Sequence, residues 1–228
     1  KIDQAVATMR FAAGDATALD ALPLEARVSA LATASSALAA RDELPPAIAA
    51  LERALQLAEA GLPSGSPAAR ALAVAGNNMA AVLEAKTERD STQTAAMLAA
   101  AEAGLKYWKL AGTWLEEERA EYRLARSQLK AGKARDAVAS AQRCIAVCRR
   151  NGAPEFELFF GFAVLALAQR SAGDRAASDA NRAEAMRQVK ADPLHPVLIN
   201  SSFEDAVDDS GEPAGWYYVR QMEVIEDE

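Results

Sequence analysis

The chain has 228 residues, of which 25 are basic and 32 acidic, so its formal net charge is −7. This acidic balance argues against a nucleic-acid-binding protein, whose surface is usually basic. No apolar run approaches the roughly 20 residues that span a bilayer, and a hydrophobic content of 51% excludes a disordered chain. Alanine, the best helix former, makes up roughly a quarter of the residues, and the composition therefore predicts an all-α fold.

The N-terminal part predicts one isolated helix. Residues 2–13 are helix-compatible and end at Gly14, so residues 1–23 are interpreted as an N-terminal helix and its connection. A repeat region follows from residue 24 to residue 192. Its first unit, "LATASSALAARDELPPAIAALERALQLAEAG", has Ser35 on one helix. After a proline-containing turn, the next helix carries the small and apolar residues Ala47, Leu51 and Ala54.

The second unit begins at "AGNNMAAVLEA", with Gly76 and, one turn later, Met79. The insertion "TERDSTQT" lengthens the loop to a partner helix that carries Ala96, Ala100 and Ala103. Downstream, the segment Thr113-Trp114-Leu115-Glu116 matches a capping box, which predicts that the next helix begins there.

The third and fourth units share one layout. In "LARSQLKAGKARDAVASAQRCIAV", Gly132 separates a helix with Leu124 and Ala125 from a second helix. In "FAVLALAQRSAGDRAASDANRAEA", Gly173 stands 41 residues after Gly132. The second helix of the third unit has small residues that we expect to be buried against the first helix, namely Ala137, Ala141 and Cys144. Their counterparts in the fourth unit include Ser178 and Ala185.

This layout, with glycine or alanine on the first helix and alanine early on the second, resembles the tetratricopeptide repeat family over about residues 24–190. The repeats exceed the 34 residues of that family and are similar to the longer variants of bacterial regulatory and scaffold proteins. The resemblance implies a right-handed α-solenoid of about four antiparallel hairpins with a concave groove. The family's carboxylate clamp is not carried over, because its Lys and Asn positions read Ala32 and Ser36.

Residues 193–228 form an acidic, aromatic-containing C-terminal extension. The stretch "WYYVRQMEVI" is compatible with a short amphipathic helix or with a strand. The words "NSSFED" and "PAGW" resemble the opening of secreted jelly-roll carbohydrate-binding modules. A distant alternative is therefore that the helical region belongs to a secreted protein and leads into such a module.

Two surface features predict how a partner would bind. A basic stripe at i, i+4, i+7 and i+11 would line the groove and fit an acidic peptide, with Arg70 and Asn77 adding to it. The stripe consists of Arg119, Arg123, Arg126 and Lys130. The alternative is a solvated face whose charge is offset on the same helix by Glu116, Glu117, Glu118 and Glu121.

The other feature is "EFELFFGFAVLALA", which is apolar nearly all round and contains Phe159, Phe160 and Phe162. A helix of this kind is covered on more than one side. We expect the C-terminal extension to fold back over these rings as a cap, and a homodimer through the last repeat is the alternative.

Catalytic signatures are weak, and the chain is predicted not to be an enzyme. The single histidine, His195, has no evident catalytic partner. Cys144 and Cys148 could supply two metal ligands, but a second pair is missing, so they are interpreted as small core residues and no metal or cofactor is predicted. The sequence favours a cytoplasmic scaffold or adaptor that binds a peptide or partner protein, with no nucleic acid and no membrane. A regulatory domain that senses a ligand or peptide is the second hypothesis.

Overall fold

The structure is a computed structural model that describes residues 2–63 and 65–191. Within these ranges the chain is entirely helical, and it contains nine α-helices and no strand. The all-α prediction is therefore confirmed for the described residues, whereas the predicted C-terminal extension lies outside them. The helices are α1 Ile2–Ala12, α2 Leu24–Ala39, α3 Leu44–Ala58, α4 Pro67–Glu84, α5 Ser91–Ala111, α6 Trp114–Lys130, α7 Ala134–Arg150, α8 Glu155–Ser171 and α9 Arg175–Ala191.

The helix boundaries follow local sequence signals. The backbone N–H of Thr113 donates to Glu116 Oε2 at 2.7 Å, and the Thr113 hydroxyl accepts from the backbone of the first turn of α6, so the predicted capping box is confirmed. Gly132 and Gly173 adopt φ angles of 72° and 89° in the turns after α6 and α8. An L-residue rarely adopts this left-handed conformation, which explains why glycine ends both helices.

Four helix pairs make up the region after α1. Helices α2 and α3, α4 and α5, α6 and α7, and α8 and α9 pack against each other, and the first helix of each pair also contacts the first helix of the next. The pairs are antiparallel: in the second, Gly76 meets Gly104, whereas the earlier residue Arg70 meets the later residue Trp108. The packing of consecutive helices agrees with the predicted series of hairpins, whereas the predicted right-handed superhelix stays a prediction.

Helices α4 and α5 approach each other most closely at two glycines. A Cβ atom built on Gly76 would lie 2.6 Å from the carbonyl oxygen of Ala100 and 2.8 Å from the backbone nitrogen of Gly104. Both atoms belong to the α5 backbone, so no side-chain movement could make room. The absence of a side chain at Gly76 is therefore a condition for the observed packing.

Small residues fill most of the interior. Ala137, Ala141 and Cys144 are fully buried, which confirms the predicted inner face of α7. Two of the buried serines each donate to a carbonyl of the partner helix in their hairpin. Ser35 donates to Ala47 O and Ser178 donates to Ala166 O, each at 2.8 Å. These bonds satisfy hydroxyl groups that would otherwise be costly to bury.

None of the described helices combines the length and the apolar character that crossing a bilayer needs.

Candidate functional site

The predicted basic stripe lies on α6, but the structure turns much of it inward. Arg123 is buried, and Arg126 and Lys130 are half-buried, whereas Arg119 is exposed. The side chains of Arg123 and Arg126 keep only 10% and 17% of their exposure. Guanidinium groups buried to this extent require acidic partners, and one of these partners lies on α4.

Glu84, at the C-terminal end of α4, receives three hydrogen bonds from α6. Arg123 Nη1 donates to its Oε2 at 2.8 Å, and Arg126 Nε donates to the same oxygen at 3.1 Å. Ser127 Oγ donates to the other oxygen, Oε1, at 2.7 Å. The Glu84 side chain is only 1% exposed, so this carboxylate joins the first helices of the second and third hairpins across a buried contact.

Arg119 makes the corresponding link to the next hairpin. Its Nη2 donates at 2.8 Å to Oε1 of Glu157 on α8, whose side chain is 7% exposed. The arginines of the stripe therefore link α6 to α4 and also to α8. Arginines that were predicted to face a groove connect three consecutive first helices of the hairpins.

The alternative of a solvated face does not hold for Arg123, Glu118 and Glu121, which are buried, and several acids of α6 contact neighbouring helices. Glu121 accepts from Lys109 Nζ at 3.1 Å and from Arg143 Nε at 3.0 Å, which ties α6 to α5 and α7. Glu118 accepts from the thiol of Cys144 at 3.2 Å. Glu116 takes part in the capping box, and Glu117 forms long ion pairs of 4.0 Å with Lys109 and Arg150.

A surface cleft of about 370 Å³ lies between α2 and α4. It is lined by Ala32, Thr33, Ser36, Pro67, Arg70, Ala71, Val74 and Asn78. Its walls are largely exposed, because Thr33, Arg70, Val74 and Asn78 all face solvent. Val74 retains 39% of its exposure, and it is one of the few large apolar side chains that the described helices leave open.

Arg70 stands at one wall of this cleft with its guanidinium carbon 5.1 Å from the ring centroid of Trp108. The ring face attracts the cation and holds the guanidinium plane in place. Arg70 is exposed at this cleft, and the amide that lines it is that of Asn78, whereas Asn77 is half-buried beside α5. Whether Arg70 and Asn77 belong to one groove with the arginines of α6 stays a prediction.

The three phenylalanines of α8 are buried. Phe159, Phe160 and Phe162 are 1%, 5% and 5% exposed, and they belong to a cluster that includes Ala125 and Ile145. Phe160 also packs edge-on against Phe159, with ring centroids 5.0 Å apart. The predicted homodimer through the last repeat stays a prediction. The predicted cap by the C-terminal extension involves residues outside the described ranges and stays a prediction.

The residues that sequence reasoning missed are the buried partners on neighbouring helices, above all Glu84 and Glu157. The sequence does contain an indication for Glu84. This residue follows Ala80 and Leu83 on the face of α4 that is buried, where a carboxylate requires a partner. Trp108 was missed as well, since nothing in the sequence shows that it lies below Arg70.

Comparison with protein families, curated proteins and solved structures found no match for this chain. The tetratricopeptide-like assignment therefore stays a prediction. For the arginines of α6, the structure shows contacts between helices. Their predicted role in binding an acidic partner is likewise untested. Among the described residues, the α2–α4 cleft offers a surface that could hold a ligand.

Proposed function

We propose that the chain is an interaction module built as a tetratricopeptide-like array and that it binds a short segment of a partner protein in the α2–α4 cleft. The observation that carries this proposal is the cleft itself, which combines an exposed apolar side chain, Val74, with an arginine held on an aromatic ring. The contacts between first helices of successive hairpins support an array in which these helices line one face.

The lining indicates the chemistry of the occupant. Ala32, Ala71 and Val74 offer an apolar floor, and Ser36 and Asn78 supply hydrogen-bonding groups near it. A cleft that is mainly apolar with few polar groups suits an apolar side chain together with one or two backbone hydrogen bonds. The expected ligand is an extended peptide that inserts one apolar side chain.

Arg70 adds a charge preference. Its guanidinium is oriented by Trp108, so little side-chain entropy is lost when it pairs with a carboxylate. A carboxylate close to the apolar side chain, either from Asp or Glu or from a chain end, would reach this group. The predicted acidic character of the partner is thus retained, although the basic group that serves it is on α4.

The shape of the cleft favours a protein partner over a sensed small molecule. A small-molecule site usually encloses most of its ligand. Here two helices form the walls, and five of the lining side chains are exposed. An adaptor that holds an extended segment fits such an open site better than a regulatory domain that senses a small ligand.

A displayed library of random linear peptides tests the proposal directly. The wild-type chain should enrich peptides in which an apolar residue lies near a carboxylate. Arg70→Ala and Val74→Asp should each weaken binding of a selected peptide by about tenfold or more, because each removes a central contact. Fluorescence anisotropy with the labelled peptide measures the change.

Arg175→Ala is the matched control, since Arg175 is an exposed arginine at the start of α9, remote in sequence from the cleft. It should leave the affinity unchanged. A library that yields no enriched sequence would contradict the proposal. Selected peptides that bind Arg70→Ala and Val74→Asp as tightly as the wild-type chain would contradict it as well.

A further inference from the structure

Three buried side chains with metal-binding atoms meet where α6 packs on α7. Cys144 and Cys148 lie one turn apart on α7, and Glu118 projects from α6. All three are buried, and their ligand atoms lie within 4.8 Å of one another. The sequence offered only the two thiols, and the structure adds the carboxylate.

The spacing is close to that of a metal site. Zinc binds thiolate at about 2.3 Å and carboxylate oxygen at about 2.0 to 2.2 Å, so two ligand atoms on one tetrahedral ion are roughly 3.3 to 3.8 Å apart. Cys144 Sγ and Glu118 Oε1 are already 3.2 Å apart. Small side-chain rotations would therefore place the three residues around a single ion, and the helix backbones could stay where they are.

The charge of the cluster also suits a divalent ion. When a divalent ion binds two thiols as thiolates, two protons leave to solvent and two positive charges enter. The net charge of the buried cluster is therefore unchanged on binding.

The third hairpin and α8 together close this position off from solvent. A Cβ atom on Gly161 of α8 would lie 3.5 Å from Cys144 Sγ and 2.8 Å from Ile145 Cγ1. Thus the α8 backbone covers the thiol without contributing a side chain of its own. An ion held here would connect α6 to α7 in a position that water does not reach, which is typical of a structural site.

We propose that Glu118, Cys144 and Cys148 form a structural site for a thiophilic divalent ion such as Zn²⁺. The two thiolates and the carboxylate of Glu118 supply three ligands of the kinds that zinc binds. This inference is independent of the cleft between α2 and α4, because the two positions share no residue.

The test uses the full chain, reduced and freed of metal, and refolded with Co²⁺ or Zn²⁺ so that burial does not hinder entry. Co²⁺ should bind one ion per chain and give a thiolate-to-cobalt charge-transfer band that Zn²⁺ removes. At a free Zn²⁺ concentration a hundredfold above Kd, the melting temperature should rise by about 5 to 10 °C.

Variants identify the ligands. Cys148→Ser should abolish the band, and Glu118→Gln should weaken Co²⁺ binding by at least about tenfold. Glu121→Gln is the matched control, because it removes another buried carboxylate from the same helix and should leave the stoichiometry unchanged. Circular dichroism of each metal-free variant checks that it folds, and Cys148→Ala replaces Cys148→Ser if the serine variant does not.

Three results would overturn the proposal. The first is the absence of both the band and the rise in melting temperature, which would show a hydrogen-bonded core without a metal. The second is a band that Glu118→Gln leaves intact, which would exclude the carboxylate as a ligand. The third is one ion per two chains, which would indicate thiols that bridge separate molecules.

Discussion

Substituting Gly76 by alanine tests the close approach of α4 and α5. Glycine is about 1 kcal/mol less favourable than alanine inside a helix, so propensity alone predicts that Gly76→Ala stabilises the protein. The structure predicts the opposite. The new Cβ would lie 2.6 Å from the carbonyl oxygen of Ala100, about 0.8 Å inside the 3.4 Å at which ordinary contact begins.

The magnitude follows from these two opposing effects. Overpacking of a well-packed interior costs about 1 to 3 kcal/mol, and here the obstacle is backbone, so we expect the upper part of that range. After the gain in helix propensity is subtracted, the free energy of unfolding should fall by about 1 to 2 kcal/mol. Each kcal/mol corresponds to a decrease of about 2 to 4 °C in melting temperature for a chain of this size.

Gly104→Ala is the matched control on the facing helix. Its Cβ would come no closer than 3.1 Å to any neighbouring atom, the backbone nitrogen of Asn77. It should therefore be clearly less destabilising than Gly76→Ala in urea unfolding followed by circular dichroism. If Gly76→Ala raised the stability, the two helices would be farther apart than described here, and the reasoning would be refuted.

Two further predictions concern polar contacts. Glu84→Gln should lower the free energy of unfolding by about 3 kcal/mol in urea titrations, because it leaves the buried Arg123 guanidinium without its carboxylate. The control Glu43→Gln removes a carboxylate from an exposed ion pair and should lower it by only about 0 to 1 kcal/mol. Equal losses in the two variants would contradict the stabilising role of the Glu84 contacts. Thr113→Ala should cost about 1 kcal/mol through loss of the helix cap. The hydrogen bonds from the Thr113 side chain, and next its backbone, hold the pKa of Glu116 below its ordinary value of 4.5. This stabilisation is present above pH 4.5 and is lost as the pH falls through the lowered pKa. The urea midpoint of Thr113→Ala should therefore depend less on pH in acid than that of the wild-type chain, and parallel acid profiles would contradict this.

The hairpins could be predicted because their signals are local. Gly132 and Gly173 end helices through their own backbone conformation, and Thr113 caps α6 through residues within one turn. Small residues at helical spacing also marked the buried face of α7. Each of these signals acts within a few residues, so the sequence itself contains the cause.

The contacts between hairpins could not be predicted in the same way. Glu84 and Arg123 are 39 residues apart in the chain, and which acid meets which arginine depends on how two hairpins stack. Which of Asn77 and Asn78 borders the cleft was open for a related reason, since one residue on a helix corresponds to about 100° of rotation. Local periodicity fixes which face is buried more securely than which residue borders a cleft.

The buried carboxylate of Glu84 affects which hairpins can stack on each other. Alanine-lined helix faces are nearly alike, so shape alone would tolerate one hairpin stacking on the wrong neighbour. A misplaced neighbour would leave this acid buried away from Arg123 and Arg126, and such a loss is costly. Exchange of the last two hairpins between two chains, in contrast, would restore every one of these bonds. Charge therefore selects against slipped stacking within one molecule, whereas a domain-swapped pair would keep the same charged contacts.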